Sequence, residues 1–320
     1  MVANRLAGLD GSSVVVEVPA SSANLGAGYD CLGVAIAMTN RIELEVRVWS
    51  RGTIELTVDG EGRNELTGDR ENRFVRGLET ALRTALGELP EEFGWLIGMR
   101  NQIPLSRGLG SSAAATVGGL LAGNALAGEP LSTPDLLGLA AQIEGHPDNA
   151  AAVLLGGFVV SAATPLGVEA IRFDAPRDLR AVLFIPDLRL STADMRAALP
   201  ATVPLADAVA NLSAVAVGVA GMATGRFELL GRLTVDRLHE PYRAVVYPQL
   251  PAMVAAARAA GALGACLSGA GSTIIAFTDS PGGAVAIEGA MTAAAAEHTL
   301  AGRARTVELR NTGAQVVSQA

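Results

Sequence analysis

Pro104-Leu105-Ser106-Arg107-Gly108-Leu109-Gly110-Ser111-Ser112-Ala113-Ala114-Ala115 decides the fold of this 320-residue chain. Gly108 and Gly110 allow a positive φ and a close approach of backbone to a partner. Ser111 and Ser112 are helix-start residues, and the alanines after them leave the first turn free of bulk. A glycine turn that runs into a helix aims unsatisfied N–H groups and the positive end of the helix dipole at one point, which suits an anion. A serine hydroxyl there can bond a phosphate oxygen or ligate Mg²⁺. An ordinary loop with a Ser N-cap would carry the same residues, so taken alone the segment leaves both readings open. A Rossmann turn would need a clean strand–GxGxxG–helix with a following acidic residue, which is not present. The chain contains no lysine, which excludes a Walker A loop.

Around this segment the pattern is helical from Ser111 to about Leu126, and again from Asp135 to Glu144 after the start signal Ser132–Pro134. Upstream, Ser13–Val18 reads as a strand followed by a Ser-, Gly- and Asn-rich loop over Pro19–Gly28. Arg41–Val48 and Thr53–Val58 alternate as half-buried strands, Asn72–Leu86 has helical spacing, and Trp95–Asn101 is a short strand. Downstream, strands are expected over Phe158–Ala162, Val168–Phe173, Arg180–Ile185, Ala265–Ser268, Thr273–Thr278 and Ala304–Leu309. Helices are expected over Thr192–Leu199, Leu205–Thr224, Gln249–Ala259 and Gly283–His298. Strands followed by segregated helices favour an α+β class. The stretch near residues 163–169 is read as the linker, dividing the chain into 1–165 and 166–320.

Half of the residues are hydrophobic but only 4% are aromatic, so the core is built from Ala, Val, Leu and Ile, and small side chains let helices and sheet approach closely. Net charge is −8, carried against 24 arginines. That dispersed acidic balance argues against a nucleic-acid surface. It would also mildly repel an anionic substrate such as ATP, so any phosphate site must be made locally, from backbone N–H groups, Arg or a metal. Cys31 and Cys266 are far apart with no metal-ligand spacing and read as core residues in a reducing cytosol. The N-terminus shows no charged start followed by an apolar stretch, so no signal peptide is expected. The apolar run Ala208–Ala223 is interrupted by Asn, Ser and Gly and reads as too short for a membrane span. A soluble, cytoplasmic protein is expected.

Two further glycine-bearing segments flank the central one: Val18-Pro-Ala-Ser-Ser-Ala-Asn-Leu-Gly-Ala-Gly-Tyr-Asp30 and Gly264-Ala-Cys-Leu-Ser-Gly-Ala-Gly-Ser-Thr273. The three in this order resemble the galactokinase–homoserine kinase–mevalonate kinase–phosphomevalonate kinase (GHMP) superfamily over nearly the whole chain. The resemblance implies a two-domain α+β fold, with an N-terminal domain of the ribosomal-protein-S5 type, a ferredoxin-like C-terminal half and ATP between them. It implies ATP binding by Pro104–Ala114 with Asn72 near the adenine, and Mg²⁺ on Ser112 and Glu144, the latter from Glu144-Gly-His-Pro-Asp-Asn149.

Within the superfamily the homoserine kinase branch is the most similar. It usually reads Pro where this chain has Ala27 and Phe where it has Tyr29, and Ser272 replaces a common Pro. Asn149 stands where other relatives carry an aspartate base, and the branch shares the Asn, so the acceptor's proton is expected to pass without a strong general base. The stretches Ser191–Arg196 and Asp236–Arg243 also resemble that branch. By this resemblance Asn24, Asn149 and Arg196 are assigned to catalysis, and Asn24, Asp30, His146, Arg196 and Arg243 to L-homoserine, with Asp30 on the ammonium and the arginines on the carboxylate or moving phosphate. His239 is left as scaffold. Threonine biosynthesis and a possible homodimer follow by resemblance only. The alternatives are another GHMP kinase, a GHMP-fold ligand sensor without turnover, or a dehydrogenase.

Overall fold

The computed structural model describes residues 8–48, 52–89 and 93–320. The reading of the N-terminus rests on residues 1–7 and lies outside the described residues. Two antiparallel-rich sheets form the frame. The first has strands β1 (Ser13–Ala23), β2 (Leu32–Arg47), β3 (Ile54–Gly60), β4 (Gly94–Asn101), β5 (Phe158–Thr164), β6 (Gly167–Phe173) and β11 (Gln315–Gln319). Its order is β11-β1-β2-β4-β3, with β5 pairing the start of β2 and β6 pairing β5. The second is β10 (Gly302–Glu308), β7 (Arg180–Pro186), β9 (Ile274–Thr278) and β8 (Gly264–Leu267), in that order.

Helices α1 (Arg73–Leu86), α2 (Ser111–Leu126), α3 (Thr133–Glu144) and α4 (Asp148–Leu155) cover the first sheet. The second half carries α5 (Thr192–Ala197), α6 (Leu205–Thr224), α7 (Leu230–Leu233), α8 (Glu240–Val246), α9 (Leu250–Ala259) and α10 (Pro281–Glu297). The α+β class therefore holds. The predicted helix over Ser111–Leu126 has those bounds, because nothing but small and aliphatic residues follows the glycine turn. The small residues also act as predicted. A Cβ on Gly119 would stand 2.0 Å from Phe74 O, and one on Gly77 2.3 Å from Thr116 O, so α1 and α2 touch backbone to backbone.

Four expectations need correction. The stretch 163–169 is not a linker: it is the tight turn of the β5–β6 hairpin, in register from Phe158↔Phe173 to Thr164↔Gly167. The division at 165/166 cuts that hairpin, whereas the second sheet first appears at Arg180. The division into two halves is also interrupted at the far end, where β11 pairs with β1 in the first sheet. One continuous core joins the sheets, with Val18, Ala20 and Val117 of one side in the same cluster as Leu183 and Ile275 of the other.

Second, the expected loop at Pro19 is still strand. β1 runs on to Ala23 because Ala20–Ala23 pair with Ile36–Gly33 of β2, and Pro19 is absorbed where the register shifts. Third, the interval between Glu144 and Phe158, given no element from the sequence, holds the helix Asp148–Leu155. Fourth, the apolar run at 208–223 belongs to α6, whose twenty residues are long and apolar enough to cross a bilayer by length and composition. Its Asn211, Gly218, Gly221 and Met222 are buried against this fold, with Asn211 Nδ2 donating to Ala27 O at 3.1 Å and Asp236 Oδ1 at 2.7 Å.

Candidate active site

The three glycine segments meet around a cleft of about 270 Å³ between the two sheets. On one wall lies the turn before α2. Gly108 and Gly110 have φ of 72° and 68°, the left-handed region that disfavours any side chain. A Cβ on Gly108 would be 2.1 Å from Ser268 O, and one on Gly110 would be 2.0 Å from Ser21 Oγ. The turn is thus clamped by both other segments. Ser21 N–H donates to Leu109 O (3.2 Å), Thr273 N–H to Arg107 O (3.1 Å) and Ser268 Oγ to Gly108 O (2.7 Å). No side chain caps α2 at Gly110, and its first turn carries no acidic residue. Its N-terminus faces the cleft as a positive dipole end, a place for phosphate oxygens.

Within the predicted nucleotide loop the residues divide. Ser106, Gly108, Gly110, Ser111, Ser112 and Ala113 line the cleft. Leu109 and Ala114 are core. Arg107 turns away, its guanidinium donating to Pro186 O at 2.7 Å and Asp187 O at 2.8 Å, so it ties the loop to the second sheet. Asn72 spends its side chain on capping α1: its Oδ1 accepts from Phe74 N–H at 3.0 Å and its Nδ2 donates to Thr67 O at 3.0 Å. Neither side chain is among those lining the cleft, and neither are Pro104 and Leu105.

Glu144 ends α3, where Gly145 takes the left-handed C-cap. Its Oε1 accepts from Ser112 Oγ at 3.0 Å and Thr116 Oγ1 at 2.7 Å, and Arg73 Nη1 is 3.8 Å away. One carboxylate and one hydroxyl at the mouth of an anion site fit Mg²⁺, which takes few protein ligands when phosphate oxygens and waters complete its shell. No group of three or more His, Cys, Asp or Glu able to hold a metal occurs among the described residues. A cation bound here would come with its nucleotide. Thr116 follows Ser112 by one helical turn, a spacing that could have found it in the sequence; Arg73 had no such signal.

The opposite wall is charged. Asp30 and Arg196 form a bidentate pair, with Nη2–Oδ1 at 2.6 Å and Nη1–Oδ2 at 3.0 Å. The two residues predicted to grip opposite ends of an acceptor thus grip each other. Asn24, with φ 68°, donates from Nδ2 to Gly269 O at 3.0 Å and accepts from Asp30 N–H at 3.0 Å. Arg243 is buried and also bonds Gly269 O, at 2.9 Å from Nη1. His239 sits behind it. Burial holds its pKa down to about 4, so the ring is neutral; its Nε2–H donates to Gly26 O at 2.8 Å and its Nδ1 takes Arg243 Nη1 at 3.1 Å. His146 pairs with Asp148 at 2.9 Å, which raises the imidazole pKa. Asn149 Oδ1 accepts from Ser21 Oγ at 2.8 Å. Ser21 and Tyr29, both inside the first segment, had no site role assigned from the sequence.

Residues 72–157 match the model of the GHMP kinases N terminal domain, and residues 218–297 that of the GHMP kinases C terminal domain. The chain is 44% identical to the homoserine kinase of Moorella thermoacetica over 263 residues, covering 82% of this chain and 86% of that one. It is 40% identical to the homoserine kinase of Prochlorococcus marinus over 309 residues, covering 96% and 97%. The chain belongs to the homoserine kinase family. The crystal structure of a homoserine kinase from Cytophaga hutchinsonii superposes with a TM-score of 0.83 at 32% identity, covering 95% of this chain and 97% of that one. L. major mevalonate kinase in complex with R-mevalonate, at 17% identity and a TM-score of 0.64, shares the fold. Membership of the family makes the protein a kinase.

Proposed function

We propose that the protein transfers the γ-phosphate of ATP to the side-chain hydroxyl of L-homoserine, giving O-phospho-L-homoserine in threonine biosynthesis. The observation that carries this reading is the wall of Asp30, Arg196 and Arg243 facing the glycine turn. A carboxylate and two guanidiniums in one cleft match the ammonium and carboxylate of a small amino acid. Its hydroxyl would then point at the N-terminus of α2, near Asn24 and Asn149.

In this reading the backbone from Ser106 to Ala113 would hold the phosphates, and Ser112 and Glu144 would hold Mg²⁺, which would supply charge neutralisation to the phosphate oxygens. Arg73, beside Glu144, adds a cation on that side. Transfer is in line, and alignment does most of the work: near-attack positioning is worth roughly 7–11 kcal/mol of barrier. A strong general base is not required. Asn149 is an amide, and the Asp148 carboxylate is spent on His146 and on Asn149 N–H at 2.7 Å. A loose transition state tolerates this, the proton leaving to the phosphoryl oxygens. Arg196 offers its guanidinium to the acceptor carboxylate or the moving phosphate.

ADP release from Mg·ATP across L-homoserine, L-threonine, mevalonate, shikimate and galactose tests the reading. Turnover with L-homoserine alone is the expected result. Turnover with a different acceptor would discard the pocket assignment, and ATP binding without any turnover would favour a ligand sensor.

A further inference from the structure

Tyr29 stands where the homoserine kinase branch usually carries Phe. It does not itself line the cleft but packs against the two arginines of its charged wall. Arg196 Cζ and Arg243 Cζ each lie 5.4 Å from its ring centroid, and the His239 ring is 5.2 Å away. Two guanidiniums that share one cleft repel; an aromatic ring within 6 Å of both offsets part of that repulsion. The hydroxyl, which Phe lacks, accepts from Arg196 Nη1 at 2.7 Å. Arg196 therefore has two anchors of different kinds. Asp30 is a carboxylate, which an ammonium-bearing ligand would claim. Tyr29 is a neutral phenol, which it would not.

We propose that Tyr29 is a positioning residue for acceptor binding: its hydroxyl keeps Arg196 aimed into the cleft when the ammonium of an α-amino acid takes over Asp30 and frees the guanidinium for the α-carboxylate. This rests on the acceptor reading above. The exchange conserves charge, since one ion pair breaks and two form. Arg196 lies on the six-residue helix α5, and its side-chain hydrogen bonds go to Asp30 and Tyr29. Once Asp30 is engaged, the phenol is the remaining bond that limits the freedom of a long side chain. An acceptor without an ammonium, such as 4-hydroxybutyrate, leaves the Asp30–Arg196 pair closed and draws no benefit from Tyr29.

Steady-state ADP release by the parent chain and by Tyr29→Phe decides the matter. The KM for L-homoserine should rise about tenfold, the scale of one hydrogen bond to a charged group, with the KM for ATP unchanged and kcat within about twofold. An unchanged homoserine KM overturns the proposal, and so does an equal rise in both KM values, which would mean general loosening. In an Arg196→Met background the effect of Tyr29→Phe should vanish; persistence at full size overturns the proposal. If the parent chain turns over no L-homoserine, the acceptor reading is what has failed. The Tyr29–Arg196 link is then tested in ligand-free protein by the same double-mutant cycle on thermal unfolding, where coupled shifts support it and additive shifts overturn it.

Discussion

The wall of the cleft proposed to face phosphate is made largely of backbone, whereas the wall proposed to face the acceptor is made of charged side chains paired with one another. At the α2 turn, Gly108 and Gly110 hold their φ values against Ser268 and Ser21 with contacts that no Cβ could survive. The first turn of α2 lines the cleft with no side chain capping it, so an anion could bind its free N–H groups with little rearrangement. Across from it, Asp30 and Arg196 neutralise each other until a ligand separates them. In the proposed function the first wall would gain its affinity from rigidity, and the second its selectivity by requiring a ligand with both charges.

The sharpest way to break this contrast is to attack the rigid wall. Glu144→Ala removes the proposed cation ligand and the acceptor for two hydroxyls, and should lower kcat by ~10³-fold, the several kcal/mol expected of lost metal-assisted charge stabilisation. Retained turnover in a Mg²⁺ titration would take Glu144 out of that role. Gly110→Ala should lose ATP binding, measured by calorimetry, and cost about 2–4 kcal/mol in unfolding free energy from backbone strain plus overpacking. Arg196→Ala probes the exchangeable wall, with the acceptor KM rising by roughly 100-fold while the KM for ATP holds; a shift in both would erase the division between the walls.

The smallest effect concerns the scaffold behind the charged wall. Glu240 accepts from Leu267 N–H at 2.7 Å, and burial, helped by Asp236 and opposed by that hydrogen bond, Arg258 and Arg243, pushes its carboxyl up to about 8. The folded state binds a proton that the unfolded chain, titrating near 4.3, releases. The stabilisation is therefore whole below about pH 4 and is lost as pH rises toward 8. Glu240→Gln keeps the acceptor oxygen and removes the titration, so Tm followed from about pH 5 to 8 should decline less steeply than in the parent. Parallel curves would show that the carboxyl is already ionised.

The two walls were also unequally legible. Backbone chemistry is local, and so the glycine turn, the bounds of α2 and the place of Glu144 at the end of α3 can all be read from adjacent residues. Where pairing is distant, local composition misleads. Pro19 and the serines after it look like loop, but β2 holds them in a ladder. Asp30 and Arg196 each suggest an acceptor contact, and their mutual pairing across 166 residues has no sequence signature. Arg107 sits inside the phosphate loop yet serves the second sheet, because only the fold brings Pro186 and Asp187 beside it.

β11 extends the same lesson to the order of assembly. Val14 meets Gln319 and Glu17 meets Gln315, so the first strand made is flanked by one synthesised about three hundred residues later. Closing so long a loop is slow compared with forming local helices. Until it closes, the outer edge of β1 presents unpaired N–H and C=O groups, the kind of edge that templates aggregation. A kinase of this design spends its nascent life with an unguarded margin, and the last strand acts as a built-in seal whose loss would show first as poor solubility of the newly made chain.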